Sequence, residues 1–152
     1  MKRAIKSGSI HRAGFRRSGT AIMEMAVMLV LLAYVCFGVV EFGGYFTVKN
    51  AMENCAREGC RAGIGPGAAD ADVTSAVVTH LIACKLIAAG STTPSPYTIT
   101  TSPSSVTSAS VGSTFSCTVS GSWGTVGGFY RIYSIIPTSK TVSGTCAMRK
   151  EG

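Results

Sequence analysis

Apolar residues run almost unbroken from Ala21 to Phe42, AIMEMAVMLVLLAYVCFGVVEF, with one Gly and no Pro. As a helix rising ~1.5 Å per residue this stretch spans roughly 33 Å, close to a bilayer hydrocarbon core of about 30 Å. Beyond it the pattern becomes amphipathic. Val48, Met52, Cys55, Gly59 and Ala62 advance by alternate fours and threes, which places them on one helical face. Lys49, Glu53, Arg57 and Arg61 form a second row at four-residue spacing, with Lys49–Glu53 and Glu53–Arg57 as opposite-charge neighbours. The run GIGPG at 63–67 ends this helix, since Pro66 cannot continue the hydrogen-bond ladder. A second helix is expected from an Asp70 or Asp72 cap, with Val73, Val77, Leu81, Cys84 and Ala88 as its apolar stripe and Gly90 as its close.

After Gly90 the period changes from helical to two. Phe115, Cys117 and Val119 alternate with hydroxyl residues in Thr114–Ser120, as do Val142, Cys146 and Met148 in Thr141–Met148. Such alternation predicts half-buried antiparallel strands, and Tyr97–Thr101 is a candidate third. Trp123 to Pro137, with its glycines and the aromatics Trp123, Phe129, Tyr130 and Tyr133, reads as a long loop or short edge strand over the sheet. The expected fold class is α+β. A long N-terminal transmembrane helix continues into an amphipathic helix, followed by a second helix and a small antiparallel β-sheet. Along the chain this gives a basic leader (1–19), a membrane helix (20–46), extracytoplasmic helices (47–90) and a Ser/Thr-rich β module (91–152).

Charge changes the picture by its position. The net charge of +7 suggests nucleic acid at first sight, but Lys2, Arg3, Lys6, Arg12, Arg16 and Arg17 all precede the apolar run, with no acid among them. The remainder of the chain is nearly neutral. Bases clustered on one flank of an apolar helix keep that flank in the cytoplasm and export the part beyond the helix, so the expectation is a single-pass membrane protein with no nucleic-acid partner. A cleaved secretory signal is the rival. The apolar run is longer than a usual signal core, and VVEFGGY after it offers no A-x-A-like site.

Between Thr20 and Phe46 the acids and bases number two, Glu24 and Glu41. A carboxylate near the end of a membrane helix needs a partner, a proton or water. Glu24 can serve as a helix-terminus acid favoured by the macrodipole. Alternatively, cleavage after Gly19 makes Thr20 the first residue, and its new ammonium pairs with Glu24 of a neighbouring subunit, which would set the axial register of packed helices.

Six cysteines in an exported chain imply disulfides. Cys36 lies in the apolar helix as a small hydrophobe. Cys117 and Cys146 both fall on apolar strand faces, and a bridge between them closes a loop of about 30 residues, worth ~3–4 kcal/mol in chain entropy. Cys55 and Cys84 lie on the apolar helix stripes and form a second candidate pair, leaving Cys60. No C-x-x-C, G-x-S-x-G, H-E-x-x-H or phosphate-binding glycine loop occurs. His11 is on the leader, and His80 has no Cys or His at ligand spacing. No enzyme activity, cofactor or metal site is expected.

A basic leader, Gly19, Glu24 five positions past it and a long apolar helix together resemble a prepilin leader. RRSGTAIMEMAVMLVLL, then VVEFGGYFTVKNAMENCAREGCRAG, narrow the likeness to the TadE-like family of pilus assembly proteins, with Arg57-Glu58-Gly59 and Arg61 as its most specific piece. Ala147 to Glu151, AMRKE, resembles that family's closing strand. Met25 stands where an aromatic is usual, and Cys60 where a small residue is. The resemblance implies a pilin-like accessory subunit, a minor pilin or pseudopilin of a tight-adherence type IV pilus, cut between Gly19 and Thr20 by a prepilin peptidase. Helix packing is then guided by Glu24, and Arg57, Glu58 and Arg61 contact the β module or another subunit rather than only facing water. Its partners are the membrane, the prepilin peptidase, the major pilin and other assembly subunits. The alternative is an unprocessed single-pass protein whose outer module binds a ligand through Trp123–Tyr133.

Overall fold

Helix α1 runs from Arg17 to Ile64 without interruption, as a stretch with no proline allows. It is followed by helix α2 (Asp70–Ala83) and by strands β1 (Thr98–Ser102), β2 (Thr114–Ser122) and β3 (Thr141–Arg149). A single helical turn, α3 (Trp123–Val126), and a 3-10 turn (Gly128–Tyr130) sit between β2 and β3. The computed structural model describes residues 17–130 and 134–151. The chain divides into two units, the first ending at Cys36 and the second spanning Phe37–Gly152.

In the first unit every large apolar side chain from Ile22 to Val35 is more than half exposed. Among its described residues no core forms, and the helix presents an apolar surface all round.

The second unit is built on the three-stranded antiparallel sheet, in the order β1-β2-β3. Register pairs Ile99 with Val119 and, on the other side of β2, Phe115 with Met148 and Cys117 with Cys146. The alternation anticipated for β2 and β3 is what sorts their faces. Phe115, Cys117, Val119, Val142 and Gly144 are buried, while the hydroxyls between them face outward. On that outer face Thr118 and Thr145 share a hydrogen bond of 3.0 Å across the strands, a cross-strand pair of the kind that stabilises a sheet by a few tenths of a kcal/mol.

The buried face receives both helices. Val48, Met52, Cys55 and Cys60 from α1, Val73, Val77 and Leu81 from α2, and Phe115, Val119 and Trp123 from the β part form one cluster. Burying a side chain the size of Met52 or Phe115 contributes ~1.5–3 kcal/mol. Small residues allow the close approach. A Cβ on Gly59 would lie 2.7 Å from Val77 Cγ2, and one on Gly63 would meet the Phe115 ring. At Gly144 it would strike the α1 backbone itself, at Met52 and Glu53. The helix rests on the strand there main chain to main chain.

Three expectations shift and one open alternative resolves. Helix α2 ends at Ala83, so Cys84 and Ala88 lie beyond it, with Cys84 exposed; Lys85 adopts φ 57° and breaks the helix early. The N-cap is Ala69, not an aspartate. Asp72 reaches back to accept the Ala69 N–H at 2.8 Å, whereas Asp70 turns away to another partner. Of the two readings of Trp123–Pro137, long loop or short edge strand, the described residues show the loop, which begins with a helical turn. Finally, Lys49 and Glu53 do pair, at 3.9 Å, but Glu53 and Arg57 do not pair among the described residues.

Candidate functional site

Two surfaces and two clusters of thiols hold the candidate site residues that the structure describes. The first surface is the apolar wall of α1. Gly19, Thr20 and Glu24 all lie on it, exposed, in helical conformation. A Cβ added to Gly19 would meet nothing within 4 Å among the described residues. Residues 1–16, including most of the expected basic leader and His11, lie outside the described residues.

The second surface is the charged row. Arg57 is exposed and makes no ion pair among the described residues. Glu58 lies between two bases, with Arg61 Nη1 at 3.8 Å and His80 Nε2 at 3.9 Å. These solvated contacts contribute at most about 1 kcal/mol each. Their effect is to place Glu58 against α2 while leaving Arg57 and Arg61 outward. His80 is thereby an ion-pair candidate on α2. Among the described residues no group of three or more His, Cys, Asp or Glu is placed to hold a metal.

All six cysteines are thiols in this structure. Cys117 and Cys146 stand directly opposite each other on β2 and β3. Cys60, which sequence spacing leaves without a partner, joins them: its Sγ donates to the Cys146 carbonyl at 3.1 Å, and Gly59 beside it faces the Cys117 sulfur. Burial, with Cys146 adjacent, pushes the Cys60 thiol up to about 12 and Cys117 to about 11. Cys55 is likewise pushed up to about 12 by burial first and then by Cys84 beside it. Thiols held so far above neutral pH are poor nucleophiles. Their arrangement suits structural roles, not catalysis.

Two further contacts join residues that no local pattern connects. Asp70 Oδ1 accepts the Val106 N–H at 2.6 Å and Oδ2 accepts the Ser105 hydroxyl at 2.7 Å, tying α2 to the segment after β1. Those bonds hold its carboxyl below the usual range. Glu41 is fully buried, and its two oxygens accept the Ile135 and Ile136 backbone N–H groups at 3.1 and 3.0 Å. A carboxylate inside an apolar run was the available sequence signal; its partners, more than ninety residues away, were not.

Trp123 is completely buried and meets Tyr45 edge-on, centroids 5.4 Å apart. It therefore presents no ring to a ligand. Tyr130 is partly exposed, and Tyr133 lies outside the described residues.

Residues 19–61 match the family model described as TadE-like protein, a family of structural, pilus-associated proteins. The matched stretch starts at the candidate cleavage position and ends at Arg61, so it takes in Glu24, Arg57 and Glu58 and stops short of the sheet. Among the described residues one helix, Gly19–Ile64, is long and apolar enough to cross a membrane. No curated protein and no solved structure gives a significant match to the chain.

Proposed function

We propose that this chain is a membrane-anchored, pilin-like accessory subunit, a minor pilin or pseudopilin, in a tight-adherence pilus system, and that it has no catalytic activity. The observation that carries the reading is the division of labour within α1. Its residues from Ile22 to Val35 expose an apolar wall that only lipid or other helices can cover, and its residues from Val48 to Cys60 are sealed into a small α+β unit. The match to the TadE-like family over this same helix supports a pilus role over a generic anchor.

In this reading the basic leader stays in the cytoplasm and a prepilin peptidase cuts between Gly19 and Thr20. The Thr20 ammonium of one subunit meets Glu24 of the next within packed helices, where low dielectric strengthens the pair. Arg57, Glu58 and Arg61 offer charge to a neighbouring subunit, and the major pilin and platform proteins are the partners. Outside the membrane, oxidation joins Cys117 to Cys146 and Cys55 to Cys84, giving the small core the ~3–4 kcal/mol that a loop of about 30 residues supplies. The unprocessed binding module has less support, because Trp123, its intended contact, is buried.

The test is the mature N-terminus, measured by mass spectrometry in cells that express a matching prepilin peptidase, for wild type and Gly19→Ala. Processing predicts a wild-type terminus at Thr20 that disappears in the variant. Met1 retained in both would end the pilin-type reading and leave a fixed anchor.

A further inference from the structure

At the end of the exposed apolar stretch, the second unit carries a groove of about 390 Å³ that the pilus reading does not use. Phe42, Tyr45 and Phe46 of α1 form one wall, and Ile135, Pro137 and Lys140 form the other. Phe42 and Phe46 are about half exposed within it. The opposite wall is held in place by Glu41, whose buried carboxylate receives the Ile135 and Ile136 amides. Aromatic side chains beside a long apolar helix are characteristic of the membrane–water interface. The lining carries one charged residue among the described residues, Lys140, which is exposed and makes no ion pair among them.

We propose that this groove holds one chain of an anionic phospholipid, its acyl tail against Phe42, Phe46 and Ile135 and its phosphate on Lys140. Three observations select this occupant. The groove continues the exposed apolar residues Val39, Val40 and Phe42, so a lipid reaches it without crossing water. Among the described residues its one charged lining residue is a base, with no acid in the lining, which complements a phosphate and leaves a neutral hydrocarbon partner incomplete. The Glu41 latch satisfies the loop's amides from within, so the wall needs no water in a low-dielectric setting. Bound lipid would then fix the depth at which the outer unit sits on the membrane. The inference rests on the anchor reading of α1.

The experiment uses the full chain in nanodiscs of phosphatidylcholine, with or without phosphatidylglycerol, each doped with the corresponding lipid bearing a diazirine on its acyl chain. Adducts are mapped by mass spectrometry, and membrane insertion is followed separately by liposome flotation. Adducts on 135–137 are expected with phosphatidylglycerol and should fall at least fivefold in Lys140→Glu. Flotation and the emission of Trp123 should be unchanged in that variant, and Lys140→Gln should give an intermediate loss. Flotation with adducts confined to 22–36 would overturn the groove while leaving the anchor intact. Equal labelling by both lipids, insensitive to Lys140→Glu, would overturn the anionic assignment. Protein–protein adducts at 135–137 in place of lipid would show that a second copy covers the face and would refute the proposal. A chain that does not float would refute the anchor reading, and the lipid groove with it.

Discussion

The direct contact of β3 with α1 makes Gly144→Ala the sharpest perturbation of the fold. A methyl there would collide with the α1 backbone at Met52 and Glu53, with Glu53 Cα at 2.7 Å. Carbon atoms rest at about 3.5–4.0 Å, so strand and helix must separate by roughly 1 Å. Overpacking of a well-filled interior costs ~1–3 kcal/mol, and the upper end applies because a backbone cannot rotate out of the way as a side chain can. Replacing Gly in a strand returns about 0.5 kcal/mol of chain entropy, leaving ~2–3 kcal/mol net. A unit of some 115 residues unfolds with an entropy of ~0.24 kcal/mol/K, so the Tm should fall by roughly 8–12 °C. The single, fully buried Trp123 is a built-in probe for thermal unfolding of the full chain in detergent. Gly43→Ala is the matched control: the same methyl meets nothing within 4 Å, in mid-helix, and should leave the Tm unchanged or slightly raised. A fall of less than 2 °C in Gly144→Ala would refute the main-chain contact between β3 and α1.

Glu41→Gln should destabilise the second unit by ~2–3 kcal/mol, because a neutral amide cannot accept both backbone N–H groups as a carboxylate does. Hydrogen exchange at Ile135 and Ile136 should accelerate, and unchanged exchange would count against the latch. In reduced protein the thiols of Cys55, Cys60 and Cys117 are raised from about 9 to about 11–12 by burial. Groups raised in the folded state contribute stability that is complete below pH 9 and lost as pH climbs through 11–12, so a Tm that stays level across pH 9–12 would contradict their burial. Asp70 is lowered instead. Its contribution is present above about pH 4 and disappears as pH falls through its depressed value. Asp70→Asn should therefore flatten the acid limb of the Tm–pH curve, and an unaltered limb would show that the bonds to Val106 and Ser105 carry no weight.

Much of the architecture was legible because the chain writes it in local periodicity. The apolar run, the Val48–Met52–Cys55–Gly59 face and the alternation in β2 and β3 each report a single element, and each element forms as read. The same locality explains the misses. Cys84 and Ala88 fit a helical stripe by spacing, but Lys85 takes a left-handed conformation and the helix stops. Asp70 looks like a cap because nothing in its neighbourhood names Val106. Trp123 reads as packed over the sheet and is buried, but Tyr45, which it packs against, lies on another element that no local pattern names.

One long apolar helix, a run of basic residues before it and a hydroxyl-rich α+β part after it can all be read from the order of residues alone. Those properties depend on composition and on neighbours within a few positions. Folding in three dimensions was needed to make Glu41 a buried latch, to seat Cys60 with Cys117 and Cys146, to press Gly144 directly on α1, and to bring Lys140 into the lining of an apolar groove. Each of these joins residues far apart in the chain. The free energy that holds them comes from excluding water at a shared surface, which no local pattern encodes.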